Sequence, residues 1–257
     1  MGKAEAPIAM MDTGVGGVYV LRRARLCMPH ERFLFLADLA HAPYGSRSLE
    51  EIRSLTLSVA RKLADEGAKA LFIACNTATA GAIDALREAL DFPIVGMEPA
   101  IKPALEAVPE GKIAVLATPA TLRLQKFRHL MAERDEDHRV LPLPCPGLSR
   151  MIELEGPDSD SVRDYLNEIA HSAQDVTAAV VGCTHYSYLH RQLSQAFGGV
   201  PVFDGADGAC RQMKKLLASA DLLREEGEGG AVLSTNTGLA RDQALLERFY
   251  AMAEAEG

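Results

Sequence analysis

Short strand-like segments of this chain recur at a nearly constant offset, and that repetition restricts the folds open to it more than any other feature. IAMMDTG from Ile8 answers to IAVLATP from Ile113, 105 residues on, and RFLFLADL from Arg32 answers to RVLPLPCP from Arg139, 107 on. KALFIACNT from Lys69 pairs with TAAVVGCTH from Thr177, and PIVGMEPA from Pro93 with PVFDGADG from Pro201, each at 108. One such match is what chance provides. Four in the same order indicate a duplicated unit of about a hundred residues, and hence two similar lobes.

The repeated segments are apolar runs rich in Ile, Val, Leu and Phe: Ile8 to Met11, Phe33 to Leu36, Ala70 to Ala74, Pro93 to Met97, Ile113 to Ala117, Val140 to Leu143, Ala178 to Val181 and Val200 to Phe203. These read as strands. Amphipathic stretches between them predict helices over Leu49 to Asp65, Thr77 to Leu90, Thr121 to Arg134, Val162 to His171 and Ala209 to Leu223. Strand and helix in alternation predict an α/β fold, with each lobe a mostly parallel sheet flanked by helices and the two lobes related by a pseudo-twofold. Beyond Leu223 come the turn EEGEGG, a strand over Ala231 to Ser234 and a helix over Arg241 to Ala253, with no counterpart in the first copy. This tail is expected to return to the first lobe. The expected division is therefore 1–97 plus 207–257 for the N-terminal lobe and 98–206 for the second, with the site in the crevice between them.

Composition removes other classes. Aromatic residues make up 5% of the 257 and there is no Trp, which suits helices packed on sheets better than a β-sandwich. A net charge of -8 without any basic cluster argues against duplex DNA as a main ligand. No apolar run approaches the roughly 20 residues that cross a bilayer, and Met1 to Met11 is too short and polar for a signal peptide, so the expected compartment is the cytoplasm. The cysteines at 27, 75, 145, 183 and 210 form no CxxC pair, which argues against a disulfide framework or a zinc knuckle.

In parallel α/β sheets ligands bind beyond the carboxyl ends of the strands. Cys75 stands there after ALFIA, and Cys183 stands in the equivalent place after AAVVG. A helix N-terminus is expected to lower the thiol pKa at each. Two thiols facing one crevice from opposite sides have the geometry of a two-base racemase: one takes the α-proton of an amino acid and the other returns a proton to the opposite face. Blander readings exist. A lone strand-end cysteine is commonly a small buried hydrophobe, Asp12 to Gly17 reads also as a capping turn or a phosphate loop, and Cys183 with His185 also as a zinc pair or a nucleophile and base. Cys27, Cys145 and Cys210 are read as structural.

DTGVGG at Asp12 to Gly17, APYGSRS at Ala42 to Ser48, ACNTATA at Ala74 to Ala80, GMEPA at Gly96 to Ala100 and GCTHY at Gly182 to Tyr186 resemble the glutamate racemase family of the aspartate/glutamate racemase superfamily. The resemblance runs along nearly the whole chain. It implies that Cys75 and Cys183 are the catalytic acid/bases, acting without pyridoxal phosphate or metal, with Asp12 assisting the first and His185 the second. It further implies that Asp12 and Thr13 hold the α-ammonium, and that Asn76, Thr77 and Thr184 hold the α-carboxylate. Pro43, Tyr44 and Gly45 form the turn whose backbone takes the side-chain carboxylate, Thr118 and Thr121 line the pocket, and Glu98 is a further acidic pocket residue. The implied substrate is glutamate, the implied product D-glutamate for bacterial peptidoglycan, and the implied assembly a homodimer. Thr13, Leu39, Ser187, Tyr188 and Gly205 depart from the family pattern of Ser, Thr, Pro-Leu and a small hydroxyl residue. Aspartate racemase, a Cys-His thiol hydrolase and a non-catalytic binding protein are the alternatives.

Overall fold

The computed structural model describes residues 3–135 and 138–255. The first repeat supplies β1 (Ile8–Asp12), α1 (Gly17–Cys27), β2 (Arg32–Ala37), α2 (Leu49–Asp65), β3 (Ala70–Ile73), α3 (Asn76–Ala89), β4 (Ile94–Gly96) and α4 (Ile101–Ala107). The second supplies β5 (Lys112–Ala117), α5 (Pro119–Arg123), α6 (Gln125–Arg134), β6 (Val140–Pro144), α7 (Leu148–Glu155), α8 (Asp160–Ser172), β7 (Val176–Gly182), α9 (His190–Ala196) and β8 (Val202–Phe203). α10 (Ala206–Ser219), β9 (Gly230–Thr235) and α11 (Ala240–Ala255) follow.

The strands pair in parallel throughout, in a sheet of order β4-β3-β1-β2-β9 and another of order β6-β5-β7-β8. With β9 set aside, the first sheet reads β2-β1-β3-β4 and repeats the second position by position. Segments matched in sequence therefore occupy matched places in space, and the duplicated α/β architecture expected from the sequence is the one present. The chain passes between the sheets at two helices: α4 leaves β4 to lie against β5, β7 and β8, and α10 leaves β8 to lie against α1 and β4.

Successive strand residues face opposite sides, so one strand feeds two cores. Ile8 and Met10 join Leu21, Met213 and Phe249 under α1, α10 and α11, whereas Ala9 and Met11 join Ile52, Val59 and Ile83 under α2 and α3. In the second sheet Ala114 and Leu116 face the first of these cores, and Ile113 and Val115 pack with Ile101 and Phe127. Burial on both faces explains why the strands read as unbroken apolar runs. Each fully buried Leu, Ile or Phe adds about 1.5–3 kcal/mol, and the core shared by both lobes fixes their mutual placement.

α2 occupies the predicted span because Ser48 and Glu51 form a capping box, each side chain accepting from the other's backbone N–H. Elsewhere the structure corrects the sequence. The helix expected over Thr121 to Arg134 is broken at Leu124, whose backbone is extended at ψ 142, because its side chain leaves the second lobe to join the core under α2 and α3. β8 shortens to Val202–Phe203. α1, α4, α7 and α9, of 11 residues or fewer, were not anticipated. Among the described residues no helix is long and apolar enough to cross a membrane.

Candidate active site

Residues that follow β1, β3, β5 and β7 meet between the sheets. Cys75 ends the β3 connection and caps α3, its Sγ accepting from the Ala78 N–H at 3.4 Å. The Thr13 hydroxyl lies 3.3 Å from the same sulfur. The expected lowering of this thiol's pKa is overturned: burial pushes it up to about 12, the Asp12 carboxylate adds to the rise, and the contacts with Thr13 and Ala78 oppose it only in part.

Asp12 is buried, its Oδ1 accepting from Gly14 N–H at 2.8 Å and its Oδ2 from the Thr184 hydroxyl of the second lobe at 3.0 Å. Burial raises its carboxyl to about 6, against the lowering effects of His185 and those two hydrogen bonds. The lobes approach this closely because of glycine. A Cβ on Gly16 would stand 2.6 Å from the His185 backbone nitrogen and 2.7 Å from Thr184 Oγ1.

Cys183 follows β7, but a 3-10 turn over Thr184–Leu189 comes next where the first lobe has an α-helix, and its side chain caps nothing. Its sulfur lies 3.5 Å from Ser149 Oγ and 3.9 Å from His185 Nδ1. His185 Nε2 stands 2.7 Å from Glu153 Oε1. Burial disfavours the imidazolium, yet Cys183 and Glu153 outweigh it and hold the His185 pKa well above its ordinary value. Burial acts in turn to raise Glu153, but the bond to His185 dominates and leaves it below the usual carboxylate range. One cysteine thus has a carboxylate near it and the other an imidazole paired with a carboxylate.

Thr77 Oγ1 lies 3.0 Å from Thr118 Oγ1 and 2.8 Å from Thr121 Oγ1, which joins α3 to α5 across the crevice. Asn76 is buried and its Oδ1 has no hydrogen-bond partner among the described residues. Pro43 leads into a single 3-10 turn, Tyr44–Ser46, and Gly45 sits against Thr118. Direct contacts thus pair Asp12 with Thr184, Thr13 with Cys75 and Cys183 with His185, and group Thr77 with Thr118 and Thr121. Glu98 makes no hydrogen bond to these residues; its half-exposed side chain pairs with Lys126 at 3.5 Å, and it lines a small cavity together with Asn76 and Thr121.

Sequence reasoning missed Ser149 and Glu153. Both lie on α7, four residues apart and so on one helix face, in a helix too short to be recognised from its pattern. The departures from the family pattern also find places. Tyr188 turns away from the cysteines, donating its hydroxyl to the Phe249 carbonyl at 3.0 Å and packing edge-on against Tyr19 and Phe249. Ser187 donates to Asp204 at 2.5 Å. Gly205 leaves no room for a side chain, since a Cβ would stand 2.3 Å from the Glu98 carbonyl oxygen. Cys145 is buried with its thiol 3.4 Å from the Leu143 carbonyl. Among the described residues no three His, Cys, Asp or Glu side chains gather as a metal ion requires.

Comparison with known proteins agrees with this geometry. Residues 20–213 match the Asp/Glu/Hydantoin racemase family. Glutamate racemase of Clostridium acetobutylicum is 40% identical over 244 residues, 94% of this chain and 94% of its own. A glutamate racemase isoform from Bacillus anthracis superposes with a TM-score of 0.87 at 27% identity, over 96% of this chain and 94% of that one. Glutamate racemase of Francisella tularensis, crystallised with D-glutamate, gives 0.85 at 25% identity with the same coverage, 96% and 94%. The chain therefore belongs to the Asp/Glu/hydantoin racemase family, alongside its glutamate racemases.

Proposed function

We propose that the protein interconverts L- and D-glutamate by passing the α-proton between two cysteines. The observation that carries this is the position of Cys75 and Cys183 at equivalent strand ends of the repeated sheets, in the two lobes that the bond between Asp12 and Thr184 joins. Cys183, backed by His185 and Glu153, takes the α-proton of L-glutamate as a thiolate while the Cys75 thiol gives a proton to the opposite face. The centre inverts, one thiol and one thiolate exchange places, and no proton is lost. D-glutamate uses the same pair in reverse.

The α-ammonium is placed at Asp12 and Thr13. Its charge offsets the carboxylate that opposes ionisation of Cys75, so substrate binding itself eases the formation of that thiolate. Asn76, Thr77 and Thr184, with the N-terminus of α3, hold the α-carboxylate. Asn76 supplies an amide NH2 as a neutral donor to that anion. Thr118 and Thr121 fix Thr77, and the Pro43–Gly45 turn receives the side-chain carboxylate. Neutral donors at both ends bind a dicarboxylate without a permanent cation, whose equal grip on ground and transition states would not lower the barrier.

The division into 1–97 plus 207–257 and 98–206, a homodimeric assembly, a cytoplasmic setting and the supply of D-glutamate to peptidoglycan belong to the same proposal and rest on the family resemblance. A second reading has one specific observation in its favour. Cys183, His185 and Glu153 stand in the order of nucleophile, base and orienting acid, as in a thiol hydrolase, for which Cys75 is dispensable. The test is circular dichroism of the enzyme, freed of pyridoxal phosphate and held in chelator, with each enantiomer of glutamate and aspartate. Decay of both glutamate signals is expected. Decay with aspartate alone would move the assignment to that substrate, and silence with all four would favour a binding protein.

A further inference from the structure

β9 lies outside the repeat, yet its end reaches the substrate side of the first sheet. It pairs with β2 from Arg32↔Gly230 to Ala37↔Thr235, so the residues leaving the two strands, Asp38 and Asn236, emerge side by side. Asp38 is fully buried and its carboxylate is ringed by partners. The Tyr44 hydroxyl donates to Oδ2 at 2.5 Å, the Asn236 amide donates to Oδ1 at 2.5 Å, and His41 Nδ1 lies 2.6 Å from Oδ1. The other end of the same amide is also engaged, Asn236 Oδ1 accepting from the Ala40 N–H at 3.0 Å. A carboxylate on one side and an N–H on the other define which way the amide faces.

From this geometry we infer that Asn236 is a positioning residue for the substrate's side-chain carboxylate: by bridging Asp38 and Ala40 it sets the 38–45 turn whose backbone at Tyr44 and Gly45 meets that group. The inference rests on the role given to this turn under the proposed function. Without the amide, the buried Asp38 carboxylate loses a donor and the exposed Ala40 N–H turns to water, so the turn loses its tie to the end of β9. Gly45 faces Thr118, close enough that an added Cβ would stand 3.1 Å from Thr118 Cβ, so the turn lies against the crevice and a shift in it displaces the distal subsite. Glutamate and aspartate differ by one methylene, and a shift of that order moves the distal subsite out of reach while the cysteines stay in place.

The test compares Asn236→Ala and Asn236→Asp with wild type on glutamate and on β-chloro-D-alanine. The chloro compound has no distal carboxylate; loss of its α-proton to a thiolate expels chloride with the C–Cl electron pair, and the resulting enamine hydrolyses to pyruvate and ammonium. Asn236→Ala is expected to raise the glutamate KM about tenfold with kcat within about twofold, leaving kcat/KM for the chloro compound unchanged. Asn236→Asp keeps an acceptor for Ala40 but sets a second carboxylate against Asp38, so its KM is expected to rise further. Thr237→Ala, which removes the hydroxyl that accepts from the Leu239 N–H, is the tail control and should leave both substrates as in wild type. An unchanged glutamate KM in both variants would overturn the role of Asn236, as would an equal loss on both substrates. A wild type inactive on glutamate would refute the function of the site, and this role with it.

Discussion

Replacing Asp12 by Asn should make the protein more stable while weakening its chemistry. Burial lifts the Asp12 carboxyl from its ordinary 3.8 to about 6, a shift of about two units at about 1.4 kcal/mol each, or about 3 kcal/mol. The sign follows from proton binding. Between those values the folded protein holds a proton that the unfolded chain has released, so wild-type stability falls as pH rises through this window and the loss is complete above about pH 6. Asn carries no charge to desolvate. Its Oδ1 still accepts from Gly14 N–H, and its NH2 faces the Thr184 hydroxyl, which turns to accept. Asp12→Asn should therefore match wild type near pH 4 and exceed it by up to about 3 kcal/mol at pH 8, a rise of roughly 5 to 10 °C in Tm. Urea denaturation of both proteins from pH 4 to pH 8 measures the difference. A variant no more stable than wild type at pH 8 would refute the burial cost assigned to this carboxylate.

Cys75 should alkylate slowly and with a steep pH dependence. With its thiol pushed up to about 12, its labelling rate in the free enzyme, read by mass spectrometry after iodoacetamide, should rise about tenfold per pH unit through pH 9 without levelling, and Asp12→Asn should speed it. At the opposite end of the strands, Glu31 and Lys69 form a buried pair at 2.6 Å with side chains 0% and 2% exposed. Glu31 also accepts from the Arg224 N–H. Glu31→Gln should cost about 3 kcal/mol, seen as a lower urea midpoint with kcat unchanged, and Lys69→Met in the same chain should recover part of it.

The pair Cys75 and Cys183 was legible in the sequence because duplication writes itself twice: equivalent segments had to form equivalent strands, and both cysteines follow from the same match. Strand positions were legible because burial on both faces leaves short apolar runs between the amphipathic stretches. What surrounds the cysteines was not. Cys75 caps an α-helix and Cys183 does not, a difference set by the 3-10 turn after the second cysteine and invisible in the matched GCTHY and ACNTA segments. The upward shift of the Cys75 thiol required its depth and its distance from Asp12, neither of which a helix-terminus rule contains. Ser149 and Glu153 lay in a helix of 8 residues, and Asn236 reached Asp38 only through a strand pairing that spans most of the chain.

The central claim is that each cysteine serves one face of the substrate, and the direct measurement is made on Cys75→Ser and Cys183→Ser with both enantiomers of glutamate in deuterium oxide. A serine hydroxyl is too weak an acid to cycle as the thiol does. Racemisation should be nearly abolished in both variants, while α-deuterium exchange without inversion survives from L-glutamate in Cys75→Ser and from D-glutamate in Cys183→Ser. A Cys75→Ser enzyme that racemises at the wild-type rate would contradict the two-cysteine mechanism and leave Cys183, His185 and Glu153 to be explained as a different catalyst.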